Sequence, residues 1–217
     1  MKKEKSATEK KYTMGVIVKN SGQENGPGHA SVFIKKDEGG KTVQLNHTSF
    51  FPGGLGSLVN GATLGTVPVL GENGHTKEAF MADLKESNVV LTKPLSKDEY
   101  RAVKNEKSVI NKEIESGKVA YSVFGRLNPF ANLFVGVKTP AEDHFGIHHE
   151  DTVITSPKEV HNCASVVTKV VNASGTKIDN PVIPTLFTDK LRDAGFEEAA
   201  SDSISSTICD STTRFTK

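Results

Sequence analysis

The chain has no tryptophan, only two cysteines, and aromatic residues at 6% of its 217 positions. Two cysteines, Cys163 and Cys209, do not make a disulfide framework, so a small bridge-stapled secreted scaffold is excluded. Cysteine usage points instead to a reducing compartment. No apolar run approaches the length of a bilayer-spanning helix. Neither charge sign is in surplus: 27 basic residues face 26 acidic ones, a net charge of +1. No basic stripe interleaved with aromatics appears, which argues against nucleic acid as a partner. The opening "MKKEKSATEKKYTMG" is charged but lacks an apolar segment, so no classical secretory signal is expected.

What is present suits one sizeable domain. About a third of the residues are hydrophobic (35%), adequate for a core. Residues 1–11 read as a charged flexible tail, 12–196 as a single α+β domain, and 197–217 as a polar, small-residue-rich flexible tail. "YTMGVIVKN" and "NVVLTKPL" read as strands. Thr76 can cap a helix running to about Glu86. Ser96 and Glu99 form a capping box ahead of a helix carrying Tyr100, Val103, Ile110 and Ile114. The glycine-rich stretch from Phe51 to Gly74 reads as an irregular loop over a site.

"HNCASVVTKVVNASG", His161 to Gly175, carries the first candidate for chemistry. Val166, Val167, Val170 and Val171 follow Cys163 at +3, +4, +7 and +8, one stripe at helical spacing. Asn162 is a good N-cap and Gly175 a good stop. Cys163 then sits in the first helical turn, where free N–H groups and the helix-end charge favour a thiolate. A small apolar side chain at the top of a core helix is the competing reading.

The second candidate lies on a predicted hairpin, "HASVFIKK" and "KTVQLNHTSF" around "DEGG". A three-residue turn Asp37-Glu38-Gly39 sets His29 opposite His47. A two-residue Glu38-Gly39 turn sets His29 opposite Thr48 and gathers Ala30, Val32, Ile34, Val43 and Leu45 on one face. The spacing does not choose between them. His29, Ser31 and Phe33 alternate onto one face in either case. Thiol chemistry needs a base near neutrality and a third polar group to orient it.

"GHASVFIKK…LNHTS" followed by "HNCASVV" resembles the circularly permuted papain-like thiol enzymes related to NlpC/P60. In these a strand histidine precedes the cysteine. The resemblance implies an α+β papain-like fold with an antiparallel sheet against the cysteine helix. It implies Cys163 as nucleophile, His29 as base and His47 as orienting residue, with Asn46 and Thr48 in reserve. The activity implied is a cysteine hydrolase of peptidase or amidase type, or an acyltransferase, acting on a protein, peptide or acyl-lipid. It needs no cofactor and no metal. The acidic patch "FEEAASDS" near the end is similar to the tail signals of bacterial type IV effectors. That implies translocation into a host cell, or otherwise a cytoplasmic location.

Two other readings compete. A non-catalytic host-protein-binding module could keep the fold with a structural cysteine. "EDHFGIHHED" places His144 and His148 at i, i+4 near Glu150, a pattern for metal ligands, but Gly146 weakens that helix, the H-E-x-x-H pattern is absent, and a solvated charge-rich loop is the better match.

Overall fold

The structure, a computed structural model, describes residues 9–22, 28–135, 139–140, 154–155, 157–181, 184–208 and 213–216. The elements in chain order are β1 (Lys10–Lys19), β2 (His29–Glu38), β3 (Lys41–Pro52), α1 (Gly54–Ala62), β4 (Val69–Asn73), α2 (Lys77–Glu86), β5 (Val89–Leu95), α3 (Lys97–Glu115) and β6 (Val119–Tyr121). There follow α4 (Ala131–Phe134), β7 (Thr139–Pro140), β8 (Ile154–Thr155), β9 (Glu159–His161), α5 (Cys163–Asn172), α6 (Phe187–Asp193), β10 (Glu197–Glu198), α7 (Ser201–Ile208) and β11 (Arg214–Phe215). The fold is mixed α+β. Its main sheet runs in the order β10-β5-β1-β2-β3-β4-β6-β9, with β11 paired to β3. Most pairings are antiparallel; β6–β9 and β3–β11 are parallel.

Both faces of the central strands are covered, and the alternation along β1 explains how. Met14, Val16 and Val18 enter one core with Ala30, Val32 and Ile34 of β2 and the valines of α5. Ile17 enters a second core on the opposite face with Phe33, Leu45, Phe80, Leu84, Ile204 and Ile208. Helices α3, α5 and α6 serve the first core; α2 and α7 close the second. Gly15 on β1 has no side chain because the Phe33 ring fills the space where its Cβ would lie. Helix α3 carries the expected capping box, with Ser96 Oγ accepting from Glu99 N.

The β2–β3 hairpin corrects both expected registers. Its turn is Gly39-Gly40, closed by the pair Glu38↔Lys41. Both glycines have positive φ (60° and 81°), as a primed two-residue turn requires. Asp37 pairs with Thr42 but Lys36 pairs with Gln44, so Val43 is an extra, bulged residue. The bulge moves the rest of β3 along, so that Ser31 faces Ser49 and Phe33 faces His47. His29 is therefore opposite neither His47 nor Thr48. The bulge also puts Leu45 on the Phe33 face, away from Ala30, Val32 and Ile34.

Two further stretches differ from expectation. Phe51 to Gly74 is not an irregular loop: it completes β3, forms α1 and supplies β4. Residues 201–208 form α7 and bury Ile204 and Ile208, and Arg214–Phe215 adds a strand beside β3. Apolar burial at i, i+4 overrides a serine-rich composition with weak intrinsic helicity. Cys209 and the His144, His148, His149 and Glu150 group lie outside the described residues. Among the described residues, no helix is long and apolar enough to cross a membrane.

Candidate active site

Cys163 stands at the first position of α5, as the helical stripe requires. Strand β9 pairs with β6 and delivers the chain directly to Asn162. Asn162 Oδ1 accepts from Ser165 N at 2.8 Å, and Ser165 Oγ accepts from Asn162 N at 2.9 Å. This is a capping box with serine in place of the usual glutamate. Asn162 Nδ2 also donates to Val123 O at 2.9 Å. His161 extends the network: its Nδ1 meets Ser165 Oγ at 3.0 Å and its Nε2 meets Glu159 Oε2 at 2.6 Å. Lys169 and Arg126 donate to the same carboxylate oxygen at 3.0 and 2.9 Å. Hydrogen bonding from His161 and both cations holds the Glu159 carboxyl down at about 2. His161, two residues before the thiol, thus fixes the helix start.

Helix α5 lies across β2, so its N-terminus meets the start of that strand. There the Cys163 thiol and the His29 imidazole lie close enough for each to shift the other's titration. Burial pushes the thiol up, but His29, by hydrogen bond and charge, and the N–H groups of Ala30 and Ala164 outweigh it; the net shift is below 9.0. Burial pulls the His29 imidazole down, but the Cys163 sulfur and the Asp83 carboxylate outweigh it; the net shift is above 6.5. Both directions favour a thiolate–imidazolium pair. The Tyr121 hydroxyl is pushed far above its usual value, by burial and by the Cys163 charge. Cys163 is only 4% exposed.

The other nitrogen-side partners of His29 come from two elements. Nε2 lies 2.8 Å from Ser49 Oγ on β3 and 3.9 Å from Asp83 Oδ2 on α2. His47, on the same sheet face, is fully buried with Nε2 3.2 Å from the same Asp83 oxygen. That contact is too far out of line for a good hydrogen bond, and neither ring nitrogen of His47 has another partner. The ring stands edge-on to Phe80, 5.1 Å between centroids. Burial lowers the His47 imidazole despite Asp83. Burial acts to raise the Asp83 carboxyl, but His47, His29 and Ser31 together hold it at about 2. His47 thus reaches His29 only through Asp83.

Asn46 and Thr48 face the opposite side. Thr48 Oγ1 donates to Asn111 Oδ1 at 2.9 Å and accepts from the fully buried Lys107 Nζ at 2.7 Å. A cleft of about 360 Å³ opens onto His29, Ser49 and Asp83, with Phe51, Ala79 and Ala82 among its walls. A Lys19–Glu86 ion pair of 2.8 Å sits at its rim.

Asp83, Ser49 and Tyr121 were not legible as site residues. Asp83 carries one faint signal: within "FMADLKES" it follows Phe80 by three and precedes Leu84, an acid on the edge of an apolar stripe. Ser49 continues the alternation Leu45, His47, Ser49. Among the described residues no cluster could hold a metal ion. The fold and site define a mixed α+β protein with a buried cysteine–histidine pair. No family model, curated protein or solved structure matches the chain.

Proposed function

We propose that this protein is a thiol hydrolase or acyltransferase of the circularly permuted papain-like, NlpC/P60-related kind. One observation carries the reading: Cys163 at a helix N-terminus and His29 stand close enough that each favours the charged form of the other, and His29 Nε2 faces a hydroxyl and a carboxylate. His29 takes the thiol proton. The thiolate attacks an acyl carbon, and a C–S bond forms as the carbonyl π electrons move to oxygen. In this reading the N–H of Cys163 and the Tyr121 hydroxyl, kept protonated by its raised pKa, receive that oxyanion. Collapse expels an amine or alcohol, which takes the proton from imidazolium. Water, or another acceptor, then gives its proton to His29 and cleaves the thioester. With Nε2 engaged by Ser49, Nδ1 is the nitrogen left for the thiol. Ser49 holds the ring by its hydrogen bond, and Asp83 stabilises the ring's charge from 3.9 Å, sharing the part that the third member of other triads plays. His47 acts one step further out.

The test is labelling by thiol-directed acyl probes. Wild type should be labelled, while Cys163→Ala and His29→Ala should fold yet stay unlabelled. Equal labelling of wild type and Cys163→Ala would refute the assignment. A second reading, a binding module with a structural cysteine, is favoured by the 4% exposure of Cys163. It expects no labelling of native wild type and full labelling after denaturation. The acidic tail's likeness to effector signals supports a setting inside a host cell. A translocation reporter fused to the full chain tests that separately.

A further inference from the structure

Leu64 occupies a position that suits glycine. It follows the C-cap of α1, with φ of 50°, the only positive φ at a non-glycine among the described residues. Gly65 N closes the motif on Asn60 O at 2.7 Å. A side chain with a Cβ disfavours this left-handed conformation, which glycine takes freely. Leu64 offsets that with no burial, being 82% exposed. A residue that is worse than glycine for the backbone and contributes nothing to the core points to a surface role.

The surroundings share the character. Ser122 Oγ and Asn128 Nδ2 donate to Gly65 O, and Asn128 Nδ2 also donates to Thr66 O. These bonds tie the Leu64 turn to the 122–135 segment. That segment exposes Phe124, Leu127, Phe130 and Leu133, and α1 exposes Leu58. Residues 50–71 contain no charged side chain, and 119–135 contain only Arg126. Isolated exposed leucines are ordinary; several on two linked segments that carry no acidic side chain of their own are not.

Beside the cluster lies a cavity of about 380 Å³ lined by Arg126, Lys158, Glu159, Asn132 and Val135. Lys169 also reaches Glu159. The flank therefore sets three cations, Arg126, Lys158 and Lys169, against one carboxylate. Apolar side chains with a basic flank fit the headgroup–acyl boundary of an anionic bilayer, where leucine inserts and cations meet phosphate. The same segment touches the cysteine helix: Val123 O accepts from Asn162, and Gly125 packs against it.

We propose that this face docks on an anionic membrane surface, inserting Leu64, Leu127, Phe130 and Leu133 with Arg126 and Lys158 at the headgroups. The docking does not depend on the chemistry of Cys163. The experiment is co-sedimentation of the full chain with phosphatidylcholine vesicles and with vesicles of equal phosphatidylcholine and phosphatidylserine. Wild type should pellet with the anionic vesicles, less so at high salt, and less with the neutral ones. Leu64→Gly should cut the partition coefficient about tenfold while raising the melting temperature. Leu133→Ser should also weaken partitioning. Wild type that stays in the supernatant overturns the proposal. So does Leu64→Gly protein that pellets as wild type does, or equal binding to neutral vesicles. A vesicle-independent dimer that Leu64→Gly dissociates would assign the face to a second copy of the chain instead.

Discussion

Replacing Asp83 with asparagine isolates the carboxylate while keeping its shape. Two unit charges 4 Å apart attract by about 4 kcal/mol at an effective dielectric near 20. Asp83 lies 3.9 Å from His29 Nε2, with side chains 18% and 24% exposed. Water at that rim weakens the attraction toward the ~1 kcal/mol of a surface pair, leaving about 1–2 kcal/mol. At about 1.4 kcal/mol per tenfold, alkylation of Cys163 by iodoacetamide near neutral pH should slow roughly 5- to 30-fold. The pH profile should change in one direction only. The alkaline limb reports loss of the imidazolium and should move to lower pH; the acid limb, set by the thiol, should move less. Asp83 also links to stability. Its folded pKa of about 2 lies below the ordinary 3.8. That contribution is fully present above 3.8 and is lost as pH falls toward 2, about 2 kcal/mol in all. Urea unfolding of Asp83→Asn should therefore lack this acid-limb loss. Unchanged alkylation kinetics, with an unshifted alkaline limb in a folded Asp83→Asn protein, would refute the assigned role.

Lys107 is fully buried and bonds only to Val32 O and Thr48 Oγ1 among the described residues. Burial drives its pKa well below 10.5, so the unfolded chain holds the extra proton and stability should rise as pH climbs toward 10.5. Lys107→Met should abolish that rise and stabilise the protein at neutral pH by about 1–3 kcal/mol, read by urea melts at several pH values. Asn162→Ala removes the cap of α5 and the bond to Val123. It should cost about 1–2 kcal/mol and lower Cys163 alkylation in the still-folded protein; unaltered stability would deny the cap its role.

The local grammar around the thiol was legible. Asn162, the valine stripe and Gly175 mark α5 because capping and helical spacing act within a few residues. The hairpin was legible as a hairpin but not in register. Val43 is an ordinary strand residue, and nothing in its neighbourhood marks it as bulged. Gly39-Gly40 fitted a two-residue turn as well as Glu38-Gly39 did. Asp83 was hidden for a different reason. Its partners lie on β2 and β3, more than thirty residues away, and a carboxylate beside an apolar stripe is common on any helix. Ile204 and Ile208 are readable as a helical pair, but only against the apolar face that Phe80 and Leu84 present to them.

Phe80 sits one turn before Asp83 on α2 and is packed by Ile204, Ile208 and the Phe215 ring. The first core draws on no residue beyond Phe196, while the packing that holds α2 in place draws on residues 204–215. The Asp83 side of the histidine therefore rests on those later residues. A chain truncated before residue 200 would thus keep Cys163 and His29 together, while Asp83, on a helix stripped of its outer packing, would lose its fixed place beside them.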